Sequence, residues 1–83
     1  MLKEEFLKYV KQNNINLKKY NIVIEEKSNT PYTIGCYKEE EKWYLYEIGE
    51  RQNFSITKSG NENEIFNYLY LKLRGIIGGN YAD

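Results

Sequence analysis

Residues 43–48 read Trp43-Tyr44-Leu45-Tyr46-Glu47-Ile48. Successive side chains of a strand point to opposite faces of its sheet. Trp43 and Leu45 therefore lie on one face, and Tyr44, Tyr46 and Ile48 on the other. Whichever set points into the core, the opposite set is left on an open face or has to be covered. The flanking sequence shows how many strands this one joins. Upstream, Glu39-Glu40-Glu41 is too charged for a strand centre and marks a hairpin turn. Before it, Tyr32, Ile34 and Cys36 alternate with polar or small residues. Before those, the turn signal Ser28-Asn29-Thr30-Pro31 follows a further alternation, Tyr20, Ile22 and Ile24. Downstream, Gly49-Glu50-Arg51 turns into Phe54-Ser55-Ile56-Thr57. The β-branched and aromatic content supports all four strands.

Outside these strands the apolar period changes from 2 to 3.6. Leu2, Phe6, Tyr9 and Val10 recur at helical spacing, and Glu4 with Lys8 makes a favourable i,i+4 pair. This predicts a short helix ending near Asn13-Asn14, with residues 13–19 as a connection. After the last strand, Ser59 with Glu62, or Asn61 with Glu64, offers an N-cap and capping box. Ile65, Leu69, Leu73 and Ile76 then line one helix face, widened by Phe66, Tyr70 and Ile77. Arg74 suits the negative C-terminal end, and Gly78-Gly79 supplies a stop.

The predicted fold is α+β in the order αββββα. It is a four-stranded antiparallel meander with the N- and C-terminal helices packed on one face. The 83 residues make a single domain, 1–83, with one modest core. Phe6, Ile22, Ile34, Leu45, Phe54, Ile56, Leu69 and Leu73 are expected in that core. Ile24, Tyr32 and Cys36 are expected to face the helices with them, leaving Val23, Glu25, Thr33, Tyr37, Ser55 and Thr57 on the other side.

Several function classes fall away on composition. The chain has no histidine, one cysteine and one aspartate, Asp83. The commonest general base and metal ligand is therefore missing, which removes Ser-His-Asp, Cys-His and zinc arrangements. Nearly all its glutamates sit in charge-rich, solvated stretches, and Gly75, Gly78 and Gly79 follow a helix rather than open one, as a phosphate loop would require. No catalytic residue, metal or cofactor is expected. Cys36 has no partner for an internal disulfide, and residues 1–14 carry charges among their apolar positions, unlike a signal peptide. No apolar run is long enough to span a bilayer. The expected setting is cytoplasmic.

Net charge is zero but uneven. Residues 1–20 hold five Lys and two Glu, a balance of +3. Residues 21–50 hold seven Glu and three Lys, a balance of −4, and residues 51–83 stand at +1. A nucleic-acid binder of this size clusters basic residues on one face. An acidic middle third favours a basic protein partner instead. Nine tyrosines in 83 residues add to that reading, because a large rigid ring tipped with a hydroxyl suits interfaces. Half-buried strand positions also favour tyrosine, so both explanations stand at any single position.

The segment Trp43-Tyr44-Leu45-Tyr46-Glu47, followed by Glu50-Arg51-Gln52, a short strand and a helix opened by Asn61-Glu62-Asn63-Glu64, resembles the C-terminal half of small immunity proteins. These are the antidotes of bacterial polymorphic and contact-dependent toxin systems. The resemblance covers roughly residues 42–74, and Gln52 stands where the pattern often has glycine. It implies a non-enzymatic inhibitor that binds the toxic domain of one cognate toxin in the producing cell. Tyr37, Tyr44, Tyr46, Glu47 and Glu50 are the candidate partner-binding residues, in a monomer or weak homodimer. The alternative is a small regulatory or structural interaction module that pairs with itself through a strand edge or its tyrosine face. A third class, RNA binding by aromatic stacking on an open sheet, lacks the basic strip and the Gly/aromatic motif.

Overall fold

Glu40 and Glu41 both take left-handed backbone, at φ 51° and 65°, and close a two-residue hairpin of the type I′ kind. The hairpin joins β2 (Ile34–Glu39) to β3 (Lys42–Ile48). The computed structural model describes residues 1–81, the last three by backbone alone. Around the hairpin lie α1 (Lys3–Gln12), a 3-10 turn (Leu17–Tyr20), β1 (Ile22–Ile24), β4 (Phe54–Gly60) and α2 (Glu62–Tyr81). The order is αββββα, and the strands stand side by side as β1-β2-β3-β4.

The sheet is mixed, not an antiparallel meander. β2, β3 and β4 are antiparallel neighbours, but β1 runs parallel to β2, with Ile22 opposite Ile34 and Ile24 opposite Cys36. Ser28-Asn29-Thr30-Pro31 is not a tight turn. Glu25 goes left-handed at φ 61° and ends β1 after three residues, and the chain returns only at Tyr32, φ 65°. Residues 25–33 form a strap over the sheet. The Tyr46 hydroxyl donates to the Glu26 carbonyl at 2.6 Å. Tyr32 N–H donates to Ile48 O, and Ile48 N–H to Thr33 O. Tyr20 belongs to the 3-10 turn rather than to a strand.

Cross-strand register assigns the faces. Ile22, Cys36, Trp43 and Leu45 meet Phe6 of α1 and Ile65, Phe66, Leu69 and Leu73 of α2 in one core cluster. Both helices therefore lie on the face predicted from Leu45, and Ile34 packs partly buried at its margin. Phe54 and Ile56 are corrections. They pair with Ile48 and Tyr46, which places them on the opposite face, 42% and 44% exposed. Tyr32 is 64% exposed in the strap, because its left-handed backbone turns it out of the strand pattern. Thr33, expected on the open side, is buried.

The helix ends follow local chemistry. Asn61 accepts from Glu64 N–H while Glu64 accepts from Asn61 N–H, so the capping box is Asn61/Glu64, and Ser59 stays in β4. At the end of α1, Asn14 is left-handed. Its N–H donates to Lys11 O and Ile15 N–H donates to Val10 O, a Schellman closure built on asparagine. α2 does not stop at Gly78-Gly79. It continues to Tyr81, and no described glycine has the positive φ of such a cap.

Candidate functional site

β2 and β3 place Tyr37 directly opposite Tyr44, on the sheet face away from the helices. The rings stack at 5.2 Å between centroids, 21° from parallel, and both residues are half-buried. Tyr46 lies two positions along the same face. It is fully buried, stacks on Phe54 at 4.8 Å and approaches Tyr37 at 5.9 Å. The result is a continuous aromatic surface: Tyr46 is its floor, Tyr37 and Tyr44 its half-buried middle, and Phe54 its margin.

Charges frame this surface. Lys27, in the strap, holds its ammonium 4.8 Å from the Tyr37 ring centroid and 3.6 Å from Glu39. Lys42 sits 5.9 Å over the Tyr44 ring. Cation–π contacts of this kind contribute about 0.5–1 kcal/mol where exposed, and they hold the rings in place. Beyond them the hairpin tip projects Glu39, Glu40 and Glu41, all exposed. Burial pushes the Tyr46 hydroxyl up to about 12, so it stays a protonated donor to the strap.

The five residues singled out from sequence divide three ways. Tyr37, Tyr44 and Tyr46 come together, but Tyr46 contributes support rather than contact surface. Glu47 lies on the opposite face, among the helices, where it pairs with Lys72 of α2 at 3.5 Å. Glu50 is exposed in the β3–β4 turn, apart from the aromatic centre, and forms no ion pair among the described residues. Phe54 and Lys27 belong to the surface and escaped the sequence reading. Phe54 carried a usable signal, since a strand after a tight turn places its aromatic beside the preceding strand's aromatics. Lys27 carried none, because its place depends on the path of the strap.

A concavity of about 530 Å³ lies between α2 and strands β3 and β4, lined by Leu45, Thr57, Tyr68, Leu71 and Ile76 with Glu47, Lys58 and Lys72 among them. Leu71 at 61% and Tyr68 at 39% exposure leave it open to solvent. Among the described residues no three His, Cys, Asp or Glu side chains converge as metal ligands, and no helix is long and apolar enough to cross a membrane. Compared with protein-family models, curated proteins and solved structures, the chain finds no match in any of the three.

Proposed function

We propose that this chain is a non-catalytic antidote, an immunity protein that binds and neutralises a cognate toxin domain in the cytoplasm of the producing cell. Its binding surface is the aromatic face around Tyr37 and Tyr44. The observation that carries this reading is the stacked, half-exposed Tyr37–Tyr44 pair resting on buried Tyr46. Rings already held in place lose little freedom on binding, and aromatic anchors of this kind dominate protein interfaces. The acidic hairpin tip beside them favours a basic toxin surface, steering encounter more than holding the complex. The β3–β4 turn adds support: Gln52 sits at φ 63°, a conformation glycine adopts without strain, where the immunity-protein pattern often carries glycine.

The test is to co-express the chain with the toxic domain encoded beside it and to measure growth rescue and direct binding. Tyr44→Ala is expected to cost about 2 kcal/mol or more, roughly thirtyfold in affinity. Glu50→Ala is expected to slow association and weaken its salt dependence. Absence of both rescue and binding with any adjacent toxin rejects the reading. Rescue that survives alanine at Tyr37, Tyr44 and Glu50 together keeps the function and moves the site elsewhere.

A further inference from the structure

β4 is an edge strand, and three of its properties agree on what can pair with it. The first is hydrogen-bond phase. Antiparallel partners alternate between pairs that exchange N–H···O bonds and pairs whose polar groups point away from each other. Gly49 N–H donates to Asn53 O and Gly49 O accepts from Gln52 N–H, so Gly49 turns both its polar groups toward the β4 side. Ile48 instead spends its N–H and C=O on Thr33 and Tyr32. By alternation, Phe54 and Ile56, opposite Ile48 and Tyr46, turn their N–H and C=O outward to the open edge, while Ser55 turns inward to Glu47.

The second property is side-chain facing. Phe54 and Ile56 share the aromatic face and Ser55 lies on the helix face. The third is charge. Phe54-Ser55-Ile56 is uncharged and precedes both the register shift opposite Leu45/Tyr46 and Lys58, two features that guard the rest of the edge against pairing.

From these we infer that the edge segment Phe54–Ile56 pairs with the same segment of a second copy of this chain, antiparallel, about a two-fold axis through Ser55. In that register Phe54 faces the partner copy's Ile56, so two residues with outward N–H and C=O meet and exchange both bonds. The opposed residues share a face, as an antiparallel ladder requires. The two most exposed apolar side chains of β4, at 42% and 44%, then cover each other. Ser55 meets its own copy at the axis as a non-exchanging pair, where a small side chain fits the closer approach. No like charges oppose each other at the centre. A foreign strand would need to match this phase, facing and charge by coincidence, whereas a second copy matches them by symmetry. The edge adjoins the Tyr37–Tyr44 surface through Phe54, but the pairing itself does not depend on a toxin.

A ladder this short belongs to the weak end of interfaces, with dimerisation expected across about 10 µM to 1 mM. Sedimentation over that range should raise the average mass from 10.0 kDa toward double. Amide exchange at Phe54 and Ile56 should slow in parallel with concentration. Ile56→Pro removes only an outward N–H and should stay monomeric with an unchanged circular dichroism spectrum. Ser55→Cys should give a disulfide-linked dimer on mild oxidation, because non-exchanging pairs bring Cα atoms to about 4.5 Å. Ser59→Cys, on the same strand, should not. A chain monomeric throughout the range, or equal crosslinking at both positions, overturns the inference.

Discussion

The ring of Tyr46 lies over the bare Cα of Gly35, its partner across β2 and β3. A Cβ on Gly35 would stand 2.9 Å from Cε1 of that ring and closer still to Cζ and Oη. Gly35 is thus the seat on which the aromatic face is built, and the close approach leaves Tyr46 fully buried with its hydroxyl tied to the strap. Gly35→Ala is expected to destabilise by about 1–3 kcal/mol through overpacking. In a Tyr46→Leu background the same change should cost at least about 1 kcal/mol less, because the two sites share one contact. Urea unfolding of the four species measures the coupling, and additive effects would show that the ring does not rest on Gly35.

Alkaline stability should report on two buried acids. Burial pushes the Cys36 thiol from 9.0 up to about 11, and the Tyr46 hydroxyl from 10.0 up to about 12. The folded chain favours their neutral forms, so the unfolded chain ionises first as pH rises. Their contribution is fully present below pH 9 and is lost between 9 and 11 for Cys36, and between 10 and 12 for Tyr46. In Cys36→Ala the fall in unfolding free energy between those first two values should be shallower, by an amount of order 2 kcal/mol at most. An identical slope in the variant would mean Cys36 does not drive it. Native protein should also leave Cys36 unreactive toward thiol reagents until it unfolds.

Glu40 and Glu41 hold left-handed backbone without being glycine. Such conformations cost about 1–2 kcal/mol per ordinary residue, and Asn-Gly is the pair that type I′ hairpins favour. The double change Glu40→Asn with Glu41→Gly should raise the thermal midpoint, with a gain of about 1–2 kcal/mol. A lowered midpoint would indicate that the two carboxylates make stabilising contacts of their own.

Helix faces were legible in the sequence because a 3.6-residue period names them directly: Ile65, Leu69 and Leu73 are buried as that period required. Strand alternation is weaker. It names which residues share a face but not which face, and only the cross-strand register puts Phe54 and Ile56 with Tyr46 rather than toward the helices. Nor does it give direction, and β1 paired parallel because Glu25 and Tyr32 carry the chain over the sheet instead of turning it back. Of the candidate site residues, Tyr37 and Tyr44 stand opposite each other on one face because they are spaced symmetrically about the two-residue hairpin tip. Glu47, a candidate from the same strand and from the acidic segment, lies on the opposite face beside Lys72. A glycine inside a strand often marks close approach of another group. Gly35 is such a mark: the Tyr46 ring crosses β2 over its bare Cα.

The two borders of the sheet are finished differently, and this limits how large an assembly can become. At one border β1 is only three residues long, too short to template another chain. At the other, β4 is seven residues long and open only in its first part, before the register shift and Lys58. Two copies joined through Ser55 consume that opening on both sides at once. The inferred contact is closed by its own symmetry, so growth through it would stop at two copies with no filament.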